Sequence, residues 1–151
     1  MIKKNKLFVG IIALALCGGL YYTVQSNKGE LKDGVYKAFG DTYSERGYKP
    51  FMVVEVKNGK MVDALIEYVD AEGRLLTKND ELKYEYSDEF GNFPEGFTKE
   101  IRAEFLIKQG TETLEKVTDY EAAGTTFKKL ADKLIAERIK VGKEEVLTVK
   151  L

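Results

Sequence analysis

FMVVEVKNGKMVDALIEYV, residues 51–69, decides how the chain folds. Residues 51–57 are rich in β-formers, and Asn58-Gly59 follows directly, the residue pair whose tolerance of positive φ suits a two-residue type I′ turn. The return segment over 61–69 then places Val62, Ala64, Ile66 and Tyr68 on one face, the alternation of a half-buried strand. Upstream, residues 31–39 alternate around Val35, Tyr36 and Phe39 and predict a further strand. Downstream, residues 70–93 are densely charged and read as a long connection with limited secondary structure.

Helical spacing begins after that. Phe97, Ile101 and Phe105 recur at i, i+4, so a helix begins near Pro94, a residue tolerated in a first helical turn, or near Thr98, and Gly110 is placed to end it. A short extended piece over 114–117 leads to the string DYEAAGTT, residues 119–126. The second helix is predicted over 126–140, with Phe127, Leu130, Leu134 and Ile135 on one side and Gly142 beyond its end. Residues 146–151 alternate and supply a last strand. Strands first and helices later predict an α+β domain: an antiparallel sheet with two helices packed on one face.

The start of the chain is set apart from this domain. Lys3, Lys4 and Lys6 precede residues 7–24, which carry no charged side chain, while charges resume at Lys28. Such a stretch is a signal or anchor segment and is excluded from fold reasoning. At about 1.5 Å per residue it covers nearly the whole of a roughly 30 Å hydrocarbon core, and the positive-inside tendency keeps the lysines in the cytoplasm. Cys17, the single cysteine, follows a short apolar run as in a bacterial lipoprotein signal, although Leu16 stands where a small residue is usual and Tyr21 and Tyr22 prolong the apolar stretch. An uncleaved anchor and a lipid on Cys17 both deliver the same domain outside the cytoplasm. The organisation is therefore segment 1–24, linker 25–30 and domain 31–151.

Composition excludes several classes of function. Leaving out the leader lysines gives 24 − 3 = 21 basic against 25 acidic residues, with no basic run, so nucleic acid is not an expected partner. The chain has no histidine, which removes Ser-His-Asp, Cys-His and imidazole–metal chemistry. The adjacent carboxylates Asp88-Glu89 and Glu144-Glu145 read as solvated surface, and no nucleotide-binding glycine fingerprint is present. The DYEAAGTT string has two readings. Small residues, Gly124 and two hydroxyls before a helix resemble an anion seat built on free backbone amides; equally, Thr125 or Thr126 is the helix N-cap.

Taken together, Asp33-Gly34-Val35-Tyr36, Gly47-Tyr48, the strand–Asn58-Gly59-Lys60–strand unit, and Asp119 with Gly124, Thr125 and Thr126 before a helix closing near Gly142-Lys143 resemble the FMN-binding domain family. The leader-plus-domain layout is similar to its membrane-anchored members, the major membrane immunogen-like lipoproteins. The resemblance covers about residues 31–143 and implies FMN as cofactor, held at Asp119, Gly124, Thr125 and Thr126. It also implies electron transfer at the outer face of the membrane, with a membrane redox donor or a flavin transferase as partner, and no catalytic side-chain chemistry of the protein's own. Aligning Asp119 with the family's aspartate puts Thr125 at the flavin-bearing position, whereas aligning Gly124 with its glycine puts Thr126 there. Tyr36, Tyr48 and Tyr120 are candidates to stack on the ring. The competing expectation is a cofactor-free surface lipoprotein or ligand-binding module that keeps the fold with a degenerate motif.

Overall fold

The computed structural model describes residues 31–151; the leader, the linker and Cys17 lie outside the described residues. Strands β1 (Gly34–Gly40), β2 (Tyr48–Lys57), β3 (Lys60–Asp70) and β4 (Leu147–Val149) form a four-stranded sheet in the order β3-β2-β1-β4. Asn58 and Gly59 turn with φ of 52° and 72°, as the hairpin reading requires. The expected α+β class holds, with two additions. β4 runs parallel to β1, so the sheet is mixed, and the described residues contain three α-helices: α1 (Asp80–Phe90), α2 (Pro94–Lys108) and α3 (Glu121–Leu134).

α1 corrects the reading of residues 70–93 as a connection. Its apolar pattern is weak because Tyr86 is its one buried residue, but its ends are well marked: Asn79 Oδ1 accepts from the amides of Glu81 and Leu82, and Gly91 closes it at φ 72°. α2 starts at Pro94, the earlier of the two expected starts, whereas Gln109 rather than Gly110 adopts the left-handed closing conformation. Residues 114–116 form a 3-10 turn, not an extended piece. α3 begins five residues earlier than the expected 126 and runs on through a widened turn, Ile135–Ile139, with Gly142 beyond it at φ 71°.

The core lies between one sheet face and these helices. Tyr36, Met52, Val54, Phe97, Ile101, Phe105, Phe127, Leu130 and Leu134 are at most 1% exposed there. Each fully buried Phe, Ile or Leu side chain contributes about 1.5–3 kcal/mol. A register shift between Glu55 and Val56 alters the parity of β3, so that Met61 is buried and Val62 is exposed while Ala64 and Ile66 still face inward. The opposite sheet face holds a smaller cluster of Val35, Phe39, Phe51, Val53 and Val69, with the Phe39 and Phe51 rings stacked at 5.3 Å.

Two polar devices fix this arrangement. At the entry to β1, Asp33 accepts from both turn amides, Asn58 N–H and Gly59 N–H, each at 2.9 Å, and Glu144 Oε1 accepts from Val35 N–H at 2.8 Å. Gly34 adopts φ 153°, a conformation that L side chains rarely take, and a Cβ there would also lie 2.6 Å from that Glu144 oxygen. Along the outer edge of β3, Gln109 bonds both the amide and the carbonyl of Met61, Arg102 Nε donates to Ala64 O, and the carboxylates of Asp63 and Glu67 accept from Ala64 and Tyr68 amides. The edge is thus occupied by side chains. Asp33→Ala removes an acceptor from two turn amides and is expected to lower stability by about 1–2 kcal/mol, read from chemical denaturation; an unchanged midpoint would show that the turn closes without it.

Candidate functional site

The start of α3 is where a flavin phosphate is expected, and its geometry is that of a packed helix end. Asp119, exposed, gives its carbonyl to Glu121 N–H at 3.1 Å, and Tyr120 O takes the amides of Ala123 and Gly124 at 3.0 and 3.4 Å. Tyr120 occupies the N-cap position with no side-chain cap, and Glu121 adds a carboxylate to the first turn. That carboxylate and Asp119 oppose the helix's partial positive charge and would repel an anion.

Gly124, Thr125 and Thr126 lie inside the helix. A Cβ at 124 would overlap the Leu114 carbonyl oxygen and come within 3.1 Å of the Glu115 Cα, so the missing side chain lets α3 press against the 3-10 backbone. The space beside this glycine is filled by protein. Successive helical residues point about 100° apart, so Gly124 and Thr126 face in nearly opposite directions, and both threonines are half-buried. These residues do not converge on one point, and the phosphate of FMN does not fit among them as they stand. Small residues serve close backbone packing and close phosphate approach alike, and at Gly124 the close neighbour is the 3-10 backbone.

What does assemble at this end is an aromatic cluster. The Tyr120 ring stacks on Phe90 at 4.1 Å and meets Phe97 and Tyr86 edge-on at 5.0 and 6.0 Å. Tyr68 packs edge-on against Phe127 at 5.1 Å. Arg46, from the β1–β2 loop, sits 4.9 Å above the Tyr86 ring and bonds Glu89, a contact that holds its guanidinium above the usual range. Burial pushes the hydroxyls of Tyr68, Tyr86 and Tyr120 upward, so all three are neutral donors at physiological pH. Of the expected stacking residues, Tyr36 is fully buried with its hydroxyl donated to Lys32 O at 2.9 Å, and Tyr48 is 4% exposed. Tyr120 alone of the three is half-exposed, and its face is taken by Phe90.

Beside the cluster, a cleft of about 510 Å³ is lined by Tyr48, Arg74, Leu75, Lys78, Asn79, Asp80 and Glu81. Asn79 Nδ2 donates to Tyr48 Oη at 2.9 Å on its wall. It is an open surface cleft whose lining mixes both charge signs with one aromatic residue, Tyr48. Arg46, Asn79, Tyr86 and Phe90 escaped the sequence reading because they lie in or against α1. The Asn79-Asp80-Glu81 cap and Gly91 were its available signals.

No family model matches the chain. It is 25% identical over 118 residues to the 15 kDa lipoprotein of Treponema pallidum (strain Nichols), an alignment spanning 78% of this chain and 84% of that protein. Among solved structures, a crystallised Clostridium perfringens protein superposes with a TM-score of 0.74 at 24% identity, covering 80% of this chain and 98% of that one, which establishes a shared fold. A Clostridium thermocellum protein solved by NMR gives 0.49 at 23% identity over 72% and 95%.

Two measurements check this geometry. Gly124→Ala is expected to destabilise by about 2 kcal/mol through overlap with the Leu114 backbone, despite a helix-propensity gain near 1 kcal/mol. Thr125→Ala and Thr126→Ala are each expected to stay within about 1 kcal/mol of the parent. A neutral Gly124→Ala would reopen the seat. Glu67 is 3% exposed, and burial raises its carboxyl above the ordinary range against the pull of the Thr77 hydroxyl at 2.6 Å. The folded protein therefore holds this proton more tightly than the unfolded chain. The associated stability is present below the ordinary glutamate value of about 4.3 and is lost as pH rises through the folded value. Melting temperatures across pH should show this decline in the parent relative to Glu67→Gln, and parallel curves would refute it.

Proposed function

We propose that the chain is an extracytoplasmic domain tethered to the membrane by its leader, acting as a surface lipoprotein-type ligand-binding module without a flavin at α3. The observation that supports this reading is the contact of Gly124 with the Leu114 backbone, which occupies the side of α3 from which a phosphate would approach that glycine. The similarity to a spirochaete lipoprotein supports the tether, and the leader with Cys17 is consistent with an anchor or a lipid. The cleft against Tyr48 supplies a ligand-sized site at the same end of the sheet as the aromatic cluster.

A second reading keeps the redox role: FMN bound without a covalent bond, its ring against the tyrosine-rich cluster. The half-exposed Tyr120 beside Phe90, with Arg46 5.9 Å from the Phe90 ring, favours it, because an aromatic and cationic wall suits the edge of a flat ring with a polar rim. A bound flavin would supply the electron chemistry, while Arg46 and the Tyr68, Tyr86 and Tyr120 hydroxyls would orient it; a membrane redox donor or flavin transferase belongs with this reading alone.

Purified full-length protein is expected to be colourless, and titrated FMN to keep its fluorescence at protein concentrations up to about 100 μM. Protein that is yellow, or that quenches added FMN in a manner abolished by Tyr120→Ala, would establish the redox reading instead.

A further inference from the structure

The end of the domain where residue 31 enters is built from four pieces of chain. Lys32 N–H donates to Ile139 O at 3.1 Å, and a Cβ on Gly142 would lie 3.4 Å from the Lys32 side chain, so the close of the last helix sits against the entry. Asp33 brings the Asn58-Gly59 turn to the same place, and Gln109 ties the end of α2 to Met61, two residues beyond that turn. The aromatic cluster lies at the opposite end, since Tyr48 begins β2 and Lys57 finishes it. Ten strand residues separate the two ends by about 33 Å.

This entry end is rich in exposed lysines and carries apolar tips. Lys32, Lys60, Lys108, Lys140 and Lys143 are exposed on it, with Ile107 at 75% and Val141 at 54% exposure. The carboxylates of this end, Asp33, Glu55, Glu112 beside Gly110, Glu137, Glu144 and Glu145, keep their charge and offset part of that of the lysines, although most are held in place by the protein's own groups. Asp33 accepts from the Asn58 and Gly59 amides, Glu144 from Val35 N–H, Glu55 pairs with Lys57 at 2.7 Å and Glu137 with Lys133 at 3.2 Å; Glu145 is exposed.

We propose that this end is a docking surface for an anionic lipid bilayer: the lysines meet lipid phosphates, and Val141 and Ile107 enter the headgroup layer. The proposal rests on the tethered reading. Six linker residues, 25–30, reach at most about 20 Å when extended, less than the length of the sheet, so a leader held in the bilayer keeps the entry end beside it. Within a Debye length of about 10 Å, an anionic surface attracts each lysine it faces. The domain then stands upright, with its aromatic end directed away from the membrane.

The chain contains no tryptophan, so a single introduced indole reports its own surroundings. Full-length Val141→Trp is reconstituted in vesicles of phosphatidylcholine alone or mixed with phosphatidylglycerol, and Tyr84→Trp, at an exposed position on α1, serves as the distal control. On the anionic vesicles Val141→Trp is expected to shift to the blue by about 10 nm and to be quenched by brominated lipid, an effect reversed by high salt, whereas Tyr84→Trp does not respond. Equal emission of Val141→Trp on the two compositions, shifted or not, would overturn the docking surface. Flotation with the phosphatidylcholine vesicles reports the tether separately: protein that fails to float is untethered, and the docking proposal then falls with that reading.

Discussion

One carboxylate, that of Asp33, organises the domain. It stands just before β1 yet accepts the two amides of the Asn58-Gly59 turn, so the beginning of the described chain is bonded to the tip of the hairpin before β1 pairs with β2. Register follows from that clasp. Once Gly34 lies opposite Val56, Tyr36 and Ala38 fall on the same face as Met52 and Val54, and that face is the one the helices cover. Glu144 repeats the device from the other end of the sequence by accepting Val35 N–H, which brings the segment before β4 alongside β1 and allows the parallel pairing.

The helices answer to the same face but are fixed by different chemistry. α2 lays Phe97, Ile101 and Phe105 on the sheet and ties itself to β3 through Arg102 and Gln109. α3 has no side-chain cap and is instead located by backbone contact, its glycine lying on the 3-10 turn at Leu114. A helix located in this way has little freedom to open at its first turn. The aromatic rings of Tyr86, Phe90, Phe97 and Tyr120 then close the gap between α1, α2 and the start of α3.

Much of the fold was legible because its determinants are periodic or local. The hairpin announced itself through Asn58-Gly59, and the buried stripes of α2 and α3 through Phe97, Ile101, Phe105, Phe127, Leu130 and Leu134. α1 was not, because a helix that buries chiefly Tyr86 has almost no apolar period to read. The flip of Val62 to solvent depends on a register shift opposite Glu55, which no pattern within β3 encodes. The candidate site is ambiguous in the sequence for a more general reason. Glycine and alanine at 122–124 announce that something approaches the backbone closely, and only the three-dimensional contact tells whether that neighbour is a ligand or, as here, the chain itself.

The side chains along the outer edge of β3 carry a consequence for self-association. Proteins confined to a membrane meet one another at effective concentrations far above those in solution, and bare strand edges at that density zip together. Here Gln109, Arg102, Asp63 and Glu67 already hold the hydrogen-bonding groups of Met61, Ala64 and Tyr68 that an approaching strand would need. At this edge, then, a second copy finds its strand-pairing positions already taken by the domain's own side chains.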